Sequence, residues 1–170
     1  MTTTTTSTKM DSRAPQALAQ QVPREVLTLR LGSEEYAIDI LRVQEIRSYE
    51  KPTRIANAPQ HLLGVTNLRG VIVPIVDLRI RYGLEAHFDA ATVTIVLNVG
   101  SNTVGAVVDA VIDVQALSPD QIEPAPDFGG ALDAAHVVGI ATVQHADRER
   151  MLILVDIERL LKDASAMAQT

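Results

Sequence analysis

His61 to Leu78 reads H-L-L-G-V-T-N-L-R-G-V-I-V-P-I-V-D-L. Two apolar runs, Val65 to Leu68 and Val71 to Val76, flank Arg69-Gly70, and Gly70 offers the positive φ that a tight reversal needs. The spacing predicts a strand, a turn and a strand. Pro74 cannot donate to a ladder, so the second strand is expected at an edge or bulged at that point. An Arg at such a tip is ordinarily solvated, but between two buried strands it also presents a forked donor to a partner. Asp77 is placed to cap a short helix, Leu78 to Arg81, which Gly83 stops.

Working outward, Val26 to Leu31 (V-L-T-L-R-L) alternates as a half-buried strand, and Gly32-Ser33 turns it into a second strand, Glu35 to Ile40. Ile40, Val43 and Ile46 then fall three apart, which predicts a short helix or bend. Lys51-Pro52 and Ala58-Pro59 bracket a loop, R-I-A-N-A-P, ahead of the central hairpin. Residues 1–22 are rich in Thr, Ala and Gln and read as a disordered tail, and 164–170 as a flexible C-terminus.

The downstream sequence repeats this plan. Tyr36-Ala37-Ile38 with V-Q-E-I (Val43 to Ile46) recurs as Val104-Gly105-Ala106 with V-I-D-V (Val111 to Val114), 68 positions on. I-A-N-A-P from Ile55 matches I-E-P-A-P from Ile122 at an offset of 67. Leu63-Gly64-Val65 matches Val138-Gly139-Ile140 at 75, and I-V-D-L from Ile75 matches L-V-D-I from Leu154 at 79. An internal duplication with surface insertions in the second copy accounts for the series. Two copies of a five-strand unit imply an all-β protein of two small barrels with short helices, one over about 25–90 and the other over about 91–162, within a domain of 23–163. Units of this size bury too little surface to stand alone, so they should pack along an aliphatic seam.

Composition bounds the function. The hydrophobic share is 46% with only 3% aromatic, so the core is aliphatic. A formal net charge of −6 argues against nucleic acid, whose backbone demands clustered cations. There is no Cys, and the four histidines form no H-x-x-x-H pair, which leaves no thiolate or recognisable zinc site. No apolar run approaches a membrane span or a signal segment, and a soluble, cytoplasmic protein is expected. Neither a nucleophile elbow nor a phosphate-binding glycine motif occurs. Glu34 and Glu35 are neighbours in a strand, face opposite ways, and read as solvated. No catalytic residue, cofactor or metal is expected. What remains is a binding module built from sheet edges and apolar surface beside the seam, with a small-ligand or enzymatic β protein using an inter-barrel groove as the rival.

N-L-R-G-V-I-V-P-I-V-D-L, with the upstream G-V-T and R-I-A-N-A-P, resembles the CheW family of chemotaxis coupling proteins. The likeness extends through E-E-Y-A-I-D-I-L-R-V-Q-E-I-R, I-V-L-N-V-G, V-V-D-A-V and R-M-L-I-L-V-D-I-E, from about Glu25 to Lys162. It implies two SH3-like barrels forming an adaptor that couples the cytoplasmic tips of methyl-accepting chemoreceptors to the regulatory domain of the histidine kinase CheA. It also implies a cytoplasmic protein recruited to receptor arrays, monomeric alone and able to join rings there, with no direct membrane insertion. The matching positions for receptor docking are Ile38, Val43, Glu45, Arg69, Val93 and Val111, and those for the kinase include Ile46, Arg47, Tyr49 and Gly64. A longer Thr-rich N-terminal tail and the loops H-F-D-A (His87 to Ala90) and F-G-G-A-L-D (Phe128 to Asp133) depart from the family pattern.

Overall fold

A computed structural model describes residues 25–125 and 136–161; the two expected tails and the loop around Phe128 lie outside these. The chain forms β1 (Glu25–Leu31), β2 (Glu34–Asp39), β3 (Val43–Ser48), β4 (Leu62–Leu68), β5 (Val71–Asp77), α1 (Leu78–Arg81), β6 (Val93–Val99), β7 (Asn102–Val108), β8 (Ala110–Ala116), the two-residue β9 (Ile122–Glu123), β10 (Val137–His145), β11 (Arg148–Val155) and a helical turn, α2, over 157–161. One sheet has the order β8-β1-β2-β11-β10-β9 and the other β3-β6-β7-β5-β4. The fold is the expected mostly β pair of SH3-like units.

The central hairpin forms as read, with Leu68 opposite Val71. Both tip residues take positive φ, Arg69 at 54° and Gly70 at 87°, the twist that matches the flanking strands. Asn67 Oδ1 accepts from the Gly70 N–H at 2.8 Å and fixes the turn. Pro74 is not at an edge. Instead, β5 lies between β4 and β7, and its pairing with β7 starts at Ile75, immediately after the missing donor. Asp77 caps α1 by accepting from the Arg79 N–H at 2.9 Å, and Gly83 follows at φ 74°. The predicted bend is only the 3-10 turn Ile40–Arg42; Val43 to Ile46 belongs to β3. The three-residue spacing therefore spans a turn and a strand.

The duplication is visible in the strand order, but the division near residue 90 does not describe the sheets. The β1–β2 hairpin inserts between β8 and β11, and β6–β7 inserts between β3 and β5, so each sheet joins one half's hairpin to strands of the other half, β8 to β11 in the first sheet and β3 to β5 in the second. The chain crosses from sheet to sheet immediately after each hairpin, at Ile40–Arg42 and at the single residue Asp109. Burial explains the exchange. Leu27, Leu29, Leu31, Tyr36 and Ile38 face a core shared by both sheets, while Val26 and Ala37 face one inside the first sheet. The hairpin is apolar on both sides, so β1 is buried on both faces, not half-buried as its alternation suggested.

Three of the four repeated motifs occupy equivalent places. Val43–Glu45 on β3 and Val111–Asp113 on β8 both sit at a register shift. Gly64 and Gly139 both lie where a short segment crosses: a Cβ on Gly64 would stand 2.0 Å from the Thr53 carbonyl oxygen, and one on Gly139 2.8 Å from that of Glu123. Asp77 and Asp156 both donate their N–H to a histidine carbonyl, His61 at 2.8 Å and His136 at 2.7 Å. The I-x-x-A-P match is not an equivalence. Thr53 bridges Val65 as Glu123 pairs with Ile140, so the true offset there is 70 (Thr53 to Glu123). The offsets then rise steadily as 68, 70, 75 and 79, and Ile55, 45% exposed, does not correspond to buried Ile122.

Candidate partner-binding surface

Glu45 lies on β3, an edge strand whose burial alternates, and Arg69 projects from the β4–β5 tip towards it. Arg69 Nη2 donates to Glu45 Oε2 at 2.8 Å, and Arg47 Nη1 donates to Oε1 at 3.2 Å. These hydrogen bonds, that of Arg69 foremost and that of Arg47 next, hold the Glu45 carboxyl below the usual carboxylate range. Arg69 remains 68% exposed while paired. The expected pair of opposite charges therefore exists, and Arg47 is a second clamp that the sequence reading did not assign to Glu45.

The other expected docking positions divide. Val43, Val93 and Val111 are half-buried and pack on the rim of the shared core. Val43 stands opposite Leu97 and Val93 opposite Ser48, so the two valines lie at opposite ends of the β3–β6 ladder, and Val111 belongs to the other sheet. Ile38 is a correction: it is 1% exposed, inside the shared core, and offers no surface to a partner. Among the expected kinase-facing residues, Ile46 is exposed and Arg47 is half-buried. Tyr49 packs against Phe88 with ring centroids 4.5 Å apart. Gly64 is also a correction. It is buried at φ 149° with the Thr53 backbone across it, so it shapes the β4 bulge and cannot itself be a contact side chain.

The counterpart of Glu45 in the other sheet is Asp113, and it is built into the fold. Arg150 Nη1 donates to Asp113 Oδ2 at 3.0 Å while Arg150 Nη2 donates to Glu35 Oε1 at 2.7 Å. Thr28 and Gln115 donate to the same Asp113 carboxylate. Glu35 is therefore an ion-pair partner of Arg150, not a solvated charge. The Arg150 hydrogen bond is the largest influence on Asp113 and holds it at about 2, below its ordinary 3.8, against an opposing push from burial. A carboxyl depressed in the folded state stabilises the fold above its unfolded pKa, and that contribution disappears as pH falls through the folded value. Asp113→Asn should accordingly unfold at a lower temperature than the parent at pH 7, with the gap closing between about pH 4 and pH 2. Melting curves by circular dichroism across this range test it; a gap constant down to pH 2 would refute the linkage.

A second ionic node joins the sheets. The Arg79 guanidinium, fully buried, forks onto Asp77 through Nε at 3.0 Å and Nη2 at 2.9 Å, and reaches Asp109 Oδ1 at 3.0 Å. Asp109 Oδ2 accepts from the Gly32 N–H at 2.7 Å, which ties the crossover to the β1–β2 turn. The sequence reading gave Arg79 no role, although its forked partner Asp77 stands only two positions before it.

Comparison with known proteins agrees with this geometry. The family model for the CheW-like domain matches residues 25–165. Chemotaxis protein CheW of Klebsiella aerogenes is 53% identical over 143 residues, 84% of this chain and 84% of the relative. Probable chemotaxis protein CheW of Rhizobium etli is 34% identical over 149 residues, 87% of this chain and 94% of that one. The crystal structure of the scaffolding protein TtCheW from Thermoanaerobacter tengcongensis superposes with a TM-score of 0.72 at 30% identity, covering 82% of this chain and 88% of the other. Two SH3-like sheets, their aliphatic seam and the sequence relationship together place this chain in the CheW-like family.

Proposed function

We propose that this chain couples the cytoplasmic tips of chemoreceptors to the regulatory domain of the histidine kinase CheA. As a CheW-like protein it is a chemotaxis adaptor and not an enzyme. On this reading it works in the cytoplasm and is recruited to receptor arrays, where paired CheW-like domains close into rings. The observation that carries the receptor half of the proposal is the Glu45–Arg69 pair, standing exposed beside the half-buried valine Val43. The pair contributes little to folding, since exposed ion pairs are typically worth ~0–1 kcal/mol. Its geometry suits recognition: a guanidinium only partly used by Glu45 keeps donors for a partner's carboxylate or carbonyl, and Arg47 keeps Glu45 in place if Arg69 turns outward. Val93 and Val111 would extend the receptor contact along the seam, while Ile46, Arg47 and Tyr49 would face the kinase.

Arg69→Ala should leave the melting temperature within a few degrees of the parent and weaken association with a receptor tip, or with the kinase regulatory domain, by tenfold or more. Isothermal titration with each purified partner and a thermal melt on the same sample separate the readings. A large fall in melting temperature with unchanged affinity would mean that Arg69 only holds the hairpin.

A further inference from the structure

Between β3 and β4 the chain stands away from the sheet, pinned by the reciprocal backbone bonds of Thr53 and Val65, each 2.9 Å. Beside this segment lies a groove of about 270 Å³. Its apolar lining includes the Tyr49–Phe88 ring pair, Pro52, Pro59, Leu62 and Leu63. Two of its large apolar side chains, Ile55 and Phe88, are nearly half exposed, which is the mark of a surface that something covers.

The charges at this groove are of one sign. Lys51 and Arg54 are its only charged lining residues, and neither makes an ion pair among the described residues. Two cations left unpaired in a chain of net charge −6, around an apolar cleft, complement a segment that carries carboxylates beside an apolar side chain. The cleft is also preorganised. The Arg79 guanidinium lies 4.7 Å from the centroid of the Phe88 ring and binds the His87 carbonyl, and the Asp89 carboxylate accepts from the Ala91 N–H at 2.8 Å to close the loop behind it. A fixed wall lowers the ordering cost of binding. The volume is smaller than the roughly 300–1,000 Å³ of small-molecule sites and suits one bulky side chain with its backbone passing outside.

We propose that this groove docks an acidic peptide segment, one leucine-sized or phenylalanine-sized side chain entering between Tyr49, Phe88 and Leu63 while flanking carboxylates meet Lys51 and Arg54. The site is separate from Glu45 and Arg69 but shares Tyr49 with the proposed kinase face, and its test needs neither receptor nor kinase. The probe is a fluorescent synthetic peptide with one leucine between two runs of glutamate, titrated into the full chain; one control has the leucine replaced by serine, another the glutamates by lysine. Saturable binding is expected, weaker by tenfold or more for each control and for the Lys51→Glu, Arg54→Glu double variant. That variant should keep the parent's melting temperature and its affinity for a receptor tip. Amide shifts on binding should fall within residues 49–63 and 86–89. Absence of saturable binding up to millimolar peptide, equal binding of the controls, shifts centred elsewhere, or unchanged affinity in the double variant would each overturn the proposal. So would self-association of the free chain that the same double variant abolishes, because the occupant would then be a second copy.

Discussion

Arg79→Ala is expected to lower the melting temperature by roughly 6–20 °C. Removing one member of a buried, hydrogen-bonded ion pair costs about 3–5 kcal/mol because the partner charge stays buried without compensation, and about 1 kcal/mol moves the midpoint by ~2–4 °C in a chain of this size. Arg79 and Asp77 are both fully buried, and Asp109, which also binds Arg79, is largely so. The α1 cap survives the substitution, since it uses the Arg79 N–H and not its side chain. The loss therefore reports the buried side chain and not the cap. Replacing Arg79 and Asp77 together by Met and Asn should recover part of the loss, because the buried charge goes with its partner. Thermal unfolding of the two variants and the parent decides the matter; a midpoint for Arg79→Ala within two degrees of the parent would show that the node carries no stability.

What the sequence disclosed and what it concealed divide along the range of the interactions. The β4–β5 turn and the Asp77 cap rest on residues within four positions of one another, and local chemistry fixes both. The repeat was legible for a related reason: each motif marks a local device, a register shift at Glu45 and Asp113, a crossing at Gly64 and Gly139, a cap at Asp77 and Asp156. The I-x-x-A-P match failed because Pro52 and Thr53, not Ile55, make the crossing. Partner choice between strands is non-local, and no periodicity says that β1–β2 belongs with β8 and β11. Nor could composition separate Arg79, held by the neighbouring Asp77 and by Asp109 at the crossover, or Arg150, held by Glu35 and Asp113 from distant strands, from Arg69, which is exposed. Of the candidate surface, the Glu45–Arg69 pair was readable because both residues stand in motifs. Burial of Ile38 was not, since an alternating strand does not reveal whether its second face is covered.

The exchanged hairpins make a stronger statement about folding than the duplication did. Fragments 25–90 and 91–162 should each fail to fold, and mixing them should restore the native structure. A cut at residue 90 severs four of the nine strand pairings, β1–β8, β2–β11, β3–β6 and β5–β7. It also divides the shared core, to which β1, β2, β6, β7 and β11 all contribute. What remains is two hairpins in the first piece and two in the second, one of them carrying the two-residue β9 at its edge; hairpins are marginal alone in water, against a whole-domain stability of about 5–15 kcal/mol. Each fragment does hold five strands of the repeat, so closure on its own hairpin is the competing outcome. The hairpins are not interchangeable, however. β7 pairs with β5 by placing Gly105 against Ile75, where a Cβ would come within 2.6 Å of Ile75 Cδ1; β2 in the same place would bring Ala37 there, and Ile75 would have to move within a packed core. Amide spectra of the separate and mixed fragments distinguish the outcomes: collapsed spectra that disperse on mixing support the interlocked fold, and a dispersed, monomeric spectrum from either fragment alone would mean that each half can close on itself.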